Sequence, residues 1–327
     1  MNQEQLQPEL DRMADYSPVT ATFRAEVLDG LRLSQKELPC KYLYDVRGAR
    51  LFEEICELPE YYPTRTEMAI MDRQVCEMAD RLGPHCLVIE FGSGAGVKTR
   101  ILLEALHDPS AYVPIDIACE QLAEAADSLR EEFPDLDVHP ICADYTDTYE
   151  LPVVEKPVAR RVVYFPGSTI GNFDPDAARK FLQHIREVCG DGGGLLLGVD
   201  LKKERAVLER AYNDAAGVTA AFNLNLLRRL KHELGADIVL DQFSHQALYN
   251  EERNRIEMHL VSLCEQTIRV GDEEFHLRTG ETIHTENSYK YSLAGFDALA
   301  TEAGFAVKQV WTDPDGMFSV QYLETVS

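Results

Sequence analysis

Basic residues are scarce in this sequence: 32 Lys and Arg stand against 56 Asp and Glu, a formal net charge of −24 at pH 7. A surface this acidic repels phosphate backbones and anionic head groups, which excludes nucleic acid and membrane surfaces as favourable partners. No apolar run approaches the ~20 residues that a membrane helix needs. The N-terminal MNQEQLQPELDRMADY lacks the basic-then-apolar order of a signal peptide. No C-x-x-C pair occurs among the eight cysteines, so neither a zinc site nor a redox motif is indicated. The cysteines are therefore expected to be reduced, in a cytoplasmic protein. No G-x-S-x-G elbow is present, and Ser168 has no evident base partner. None of the nine histidines stands in an H-x-x-x-H or H-x-H pattern. All are read as surface or core residues, and no metal is expected.

What is present is a 327-residue chain, 45% hydrophobic, long enough for two domains. The polar stretch to about Asp15 is expected to fray. From Thr20 to Leu58 the spacing of Leu51, Phe52, Ile55 and Leu58 is helical. A turn, Pro59 to Pro63, precedes a helix for which Thr64 is the N-cap candidate. The middle third alternates strand and helix. Strands are expected at CLVIEF, YVPIDI, VHPICAD, RRVVYFPGS and GLLLGVDL, with helices between them. Continuous apolar strands in βαβ alternation specify a doubly wound parallel sheet. After Leu201 the alternation breaks into two helical stretches and three strand-like segments. The chain closes with a helix and an antiparallel hairpin, AVKQVWTD and MFSVQYLETV, around Pro314-Asp315-Gly316. Such a hairpin on a parallel sheet is typical of class I methyltransferases.

The strongest local signal is Glu90-Phe-Gly92-Ser-Gly94-Ala-Gly96-Val-Lys98-Thr99 at a strand end. Glycines there let the backbone turn sharply and approach a ligand closely. A dinucleotide G-x-G-x-x-G would need glycine at 97, which is valine; E-x-G-x-G-x-G is the form methyltransferases use. Asp116, ending the second strand, can accept bonds from ribose hydroxyls. Asp144 and Tyr145 suit an adenine, although such a pair is more often a solvated loop. In Phe165-Pro-Gly-Ser-Thr-Ile-Gly-Asn172-Phe, Asn172 offers a donor and an acceptor at a strand's carboxyl end. The alternatives for it are an Asx turn or an N-cap for the helix beginning near Asp174.

Together these motifs resemble the histidine Nα-methyltransferases of ergothioneine biosynthesis, from about Tyr42 to Val326. The segments carrying the resemblance include YDVRGARLF, LPEYYPTRTE, EFGSGAGVKT, PGSTIGNF, RAYNDAAGVTAAFNLNLL, RIEMHL and TENSYKYS. The resemblance implies that Tyr44 and Asn172 hold the α-amino group, and that Asn172 and Tyr212 hold the carboxylate. Glu286, Ser288 and Tyr61 would read the imidazole, with Met258 lining the same pocket. Gly92, Lys98, Asp116, Asp144 and Tyr145 would hold S-adenosylmethionine. The implied architecture is a class I methyltransferase domain (59–201 and 287–327) with a smaller α+β substrate-binding domain (16–58 and 202–286). The implied substrate is L-histidine and the implied state a monomer. Three competing readings are weaker. Methylation of another amino acid conflicts with the retained Glu286, Ser288 and Met258. A ligand-sensing regulator would not need an intact acceptor site, and a dehydrogenase conflicts with the glycine spacing and the terminal hairpin.

Overall fold

The computed structural model describes residues 13–16, 20–94 and 96–326. The N-terminal stretch expected to fray lies, up to residue 12, outside them. The described chain divides into two compact units, one of residues 13–16, 63–202 and 290–326 and the other of residues 20–62 and 203–289.

The first unit is the α/β sheet expected from the alternation. Its strands lie in the order Ala14–Tyr16, Ile141–Ala143, Ala111–Asp116, Cys86–Phe91, Arg160–Phe165, Gly194–Asp200, Phe318–Thr325 and Phe305–Thr312. All neighbours are parallel except the last two strands, the terminal hairpin, which run antiparallel. The chain reverses its direction of travel at Cys86–Phe91, where the crossovers switch sides, so ligands are expected beyond the carboxyl ends of these strands. Strand periodicity divides the apolar residues between two cores. Leu87, Ile89, Phe91, Leu195, Leu197 and Val199 pack on one face, while Cys86, Val88 and Leu196 pack on the other. Each such side chain contributes about 1.5–3 kcal/mol by leaving water.

Three expectations are corrected in this unit. Ala14–Tyr16 does not fray; it pairs in parallel with Ile141–Ala143, and Met13 packs with Leu122 and Cys142. Polar composition is a local property, and it does not reveal that a distant edge strand offers a partner. The helix after the Pro59 turn starts at Tyr62, so Thr64 is no N-cap but lies within its first turn beside Pro63. The cysteines are not all reduced: Cys119 and Cys142 form a disulfide, with Cα atoms 5.2 Å apart. The start of the helix Cys119–Glu132 and the strand Ile141–Ala143 bring together two residues separated by 23 positions, a pairing that no C-x-x-C search detects. Asp15 lies beside them as a third potential metal donor, but both sulfurs are engaged in the disulfide.

The second unit is α+β. Its sheet has the order Lys36–Glu37, Thr282–Tyr289, Arg255–Ser262 and Phe243–Asn250. The helices Thr20–Arg32, Val46–Glu57, Arg205–Ala211 and Val218–Glu233 accompany it. Lys36–Glu37, within a stretch read as helical, is instead a short strand beside Ile283 and His284. Two of the strand-like segments each break in two, releasing a separate hairpin, Gln266–Val270 with Glu273–Leu277.

Candidate active site

The proposed cofactor residues of the first unit gather at the carboxyl ends of adjacent strands. Gly92, Gly94 and Gly96 have φ of +70°, +49° and +69°, the left-handed region that glycine alone enters without strain. A Cβ on Gly94 would meet no protein atom within 4 Å, so the turn faces open space. The Gly94 N–H donates to Asp116 Oδ2 at 3.0 Å, and the Ala118 N–H donates to Oδ1 at 2.9 Å. Burial pushes the Asp116 carboxyl above the ordinary range, opposed by these backbone donors. Asp144 is buried and accepts from the Thr146 hydroxyl at 2.6 Å. Tyr145 stacks on Phe91 with centroids 5.5 Å apart and planes 4° from parallel. The pair is therefore not a solvated loop.

Lys98 is bound to a residue that the motif reading left without a role. Its Nζ lies 2.5 Å from Glu67 Oε2, and the same carboxylate accepts the Gly167 N–H at 2.9 Å. Glu67 thus fastens the glycine-turn helix to the PGST loop. It lies against Gly198, where a Cβ would collide with it. Glu90 opens the E-x-G-x-G-x-G motif, which by itself gives it no role. It is fully buried, accepts from Tyr112 at 2.5 Å and Thr99 at 2.7 Å, and is pushed by burial to a pKa of about 8. The terminal glutamate of LPEYYPTRTE and the first residue of E-x-G-x-G were the available sequence signals.

Asn172 ends a short 3-10 helix, Thr169–Asn172. The next helix begins at Pro175 with Asp174 as its N-cap position, so Asn172 does not cap it. The loop is fixed from behind. Ser168, at φ +58°, accepts the Asp200 N–H at 2.9 Å, and Asp200 pairs with Lys290 at 2.7 Å, both side chains 1% exposed.

In the second unit, Tyr44, Tyr61, Tyr212, Met258, Glu286 and Ser288 are gathered locally. Tyr44 precedes Asp45, which caps the helix Val46–Glu57 by accepting from the Gly48 N–H at 2.7 Å. Its ring meets Phe52 and Phe222 edge-on at 5.5 and 5.4 Å. Tyr61 lies 6.0 Å from Tyr212, centroid to centroid. Burial raises the Tyr61 phenol well above its ordinary range, with Tyr212, Cys56, Tyr44 and Glu286 adding to the shift, so it stays neutral. Tyr212 shares a 2.8 Å hydrogen bond with Ser288. In the sheet register Glu286 lies opposite Met258, and a bulge between His284 and Glu286 re-aims the strand so that Glu286 and Ser288 are both buried.

The comparisons with known proteins agree with one another. A family model described as "Histidine-specific methyltransferase, SAM-dependent" matches residues 23–325. The chain is 41% identical over 303 residues to the histidine N-alpha-methyltransferase of Mycolicibacterium smegmatis, covering 91% of this chain and 93% of that one. It is 39% identical to the protein of the same name from Mycobacterium tuberculosis, with the same coverage. It is 31% identical to ergothioneine biosynthesis protein 1 of Neurospora crassa, covering 90% of this chain and 33% of the fungal one.

Proposed function

Because the chain belongs to the histidine-specific, S-adenosylmethionine-dependent methyltransferase family, we propose that it methylates the α-amino group of L-histidine. The product is Nα,Nα,Nα-trimethyl-L-histidine (hercynine), made in the first step of ergothioneine biosynthesis. The glycine turn and Asp116 suit S-adenosylmethionine: the turn opens on unfilled space, and the carboxylate beside it can accept from ribose hydroxyls. Gly92, Lys98, Asp116, Asp144 and Tyr145 are proposed to hold it. When bound, it supplies an electrophilic methyl group on a sulfonium.

The remaining work falls to the chain's own side chains. The reaction disperses charge without building an oxyanion, so most of the acceleration can come from orientation, worth up to ~7–11 kcal/mol. Tyr44 and Asn172 are proposed to orient the α-amine, whose ordinary pKa of about 8 or above leaves a minor neutral, reactive fraction at physiological pH. Asn172 and Tyr212 would hold the carboxylate. Glu286 would accept an imidazole N–H, with Ser288 and the neutral Tyr61 phenol serving the other nitrogen and Met258 closing the pocket. The observation that carries the histidine reading is this buried face, where Glu286 and Ser288 adjoin Met258 and Tyr212. The chain is further proposed to act as a cytoplasmic monomer, which size-exclusion chromatography and fractionation would check. Among its described residues, no helix is long and apolar enough to cross a membrane.

Mass spectrometry of histidine incubated with the protein and S-adenosylmethionine tests the activity. Species carrying one, two and three added methyl groups are expected on the α-nitrogen. Methylation of the ring nitrogens, or of tryptophan in preference to histidine, would overturn the assignment.

A further inference from the structure

The second unit contains a polar circuit that links proposed substrate contacts through Asn223, His245 and Thr285, three residues to which no substrate contact is assigned. At its centre is Asn223, fully buried on the helix Val218–Glu233. Its side-chain NH2 has two hydrogens and both are used. One is donated to the His259 carbonyl at 3.1 Å, the other to His245 Nδ1 at 3.0 Å. Its carbonyl oxygen accepts from the Thr285 hydroxyl at 2.7 Å. Turning the amide over would set its oxygen against the His259 carbonyl, acceptor against acceptor, so its orientation is fixed there.

That orientation dictates the histidine tautomer. His245 Nδ1 must accept, so Nε2 carries the hydrogen and donates it to the Tyr212 carbonyl at 2.8 Å. Burial lowers the His245 pKa, against the opposing influence of the Tyr212 carbonyl and nearby Asp214, which keeps the ring neutral. At the other end of the circuit, Thr285 is the bulge residue itself, lying between His284 and Glu286 where the register shifts. Its hydroxyl also lies 3.1 Å from the Met258 carbonyl. The circuit closes through the Tyr212–Ser288 hydrogen bond. One buried amide therefore reaches both the turn that carries Tyr212 and the bulge that aims Glu286.

We propose that Asn223 and His245 are positioning residues for histidine recognition, holding the carboxylate-binding Tyr212 and the imidazole-reading Glu286 in register with one another. This rests on the proposed roles of Tyr212 and Glu286. Neither positioning residue touches substrate. They act by holding the backbone of the segments that do.

The test compares His245→Phe, His245→Gln, Thr285→Val and Tyr212→Phe in steady-state kinetics, with calorimetry for S-adenosylmethionine. His245→Phe keeps a ring but removes the donor to Tyr212. It is expected to raise KM for histidine about tenfold while kcat changes less than about threefold and cofactor affinity is unchanged. His245→Gln can restore an N–H at the Nε2 position and is expected to recover most of the loss. Thr285→Val removes only the hydroxyl and is expected to raise the histidine KM in the same way. Should His245→Phe fail to fold, Thr285→Val alone decides. The inference falls if the histidine KM stays within about twofold of the parent in His245→Phe and Thr285→Val. It also falls if kcat and cofactor affinity decline in proportion and glutamine rescues nothing. Tyr212→Phe separates the two layers: if it leaves the histidine KM unchanged, the proposed role of Tyr212 is wrong. If it alone raises KM, the substrate contact stands and the positioning role is refuted.

Discussion

Glu90 offers a sharp quantitative test, because it is an acid buried beneath the glycine turn with only hydroxyl donors, Tyr112 and Thr99, on its side chain. Burial raises its pKa from 4.5 to about 8. The sign follows from proton counting. Between those two values the folded protein keeps a proton that the unfolded chain has released, so stability is full below about pH 4.5 and is lost as pH rises towards 8. Integrating this over the interval from pH 5 to pH 8 gives a loss of about 3–4 kcal/mol from this one group. Glu90→Gln is nearly isosteric with the protonated acid and can still accept from both hydroxyls, yet it has no proton to lose. Urea unfolding of parent and variant at both pH values isolates the effect, since every other titrating group cancels in the difference. The variant is expected to gain about 3–4 kcal/mol on the parent between the two pH values. Parallel stability profiles for the two proteins would refute a protonated Glu90 and the desolvation argument behind it.

Three further outcomes follow from the site. Gly94→Ala costs about 1 kcal/mol of backbone strain at φ +49°, but its methyl group enters the open space proposed for the cofactor. S-adenosylmethionine affinity should therefore fall at least about tenfold, and calorimetry showing parental affinity would remove the turn from the cofactor site. Asn172→Ala is expected to lower kcat/KM for histidine by about two orders of magnitude if the residue holds both ends of the zwitterion; an efficiency within about twofold of the parent would make it merely a loop residue. Glu286→Ala combined with Met258→Val enlarges the proposed pocket and deletes a buried acceptor whose desolvation costs about 1–3 kcal/mol when an apolar ring replaces imidazole. Paired-substrate competition should show histidine turnover falling while tryptophan or phenylalanine turnover becomes measurable, and an unchanged preference for histidine would move Glu286 out of the pocket.

Much of this molecule was legible because its signals are local. The apolar runs ending at Phe91 and Asp200 divide their side chains between two faces by strand periodicity alone. The glycine turn is readable because positive φ at Gly92, Gly94 and Gly96 demands that residue. The proposed contacts lie in short motifs, and a motif can also supply its own scaffold. In AYNDAAG, Tyr212 meets Ser288, Asn213 exchanges hydrogen bonds with Ala247 at 3.0 and 3.1 Å, and Asp214 caps the next helix through the Val218 and Thr219 N–H groups.

What escaped the sequence depends on partners far away in the chain. The strand Ala14–Tyr16 exists because Ile141–Ala143 offers it an edge, and the Cys119–Cys142 disulfide because a helix start and that same strand bring the two thiols together. Glu67 reads as one more helix glutamate until Lys98 and Gly167 are found against it. His245 is the sharpest case. It stands in no ligand pattern and reads only as a surface or core residue, and burial does lower its pKa and hold it neutral. Its tautomer, however, is set by an asparagine 22 positions earlier, whose own orientation is set by the His259 carbonyl 36 positions later. A buried polar residue earns its place only if every donor and acceptor is matched, and no sequence pattern records that matching. The physical expectation is that specificity in this protein is distributed. A few side chains are proposed to touch the ligand, and the buried Asn223 amide and half-buried His245 imidazole behind them are proposed to decide where those side chains point.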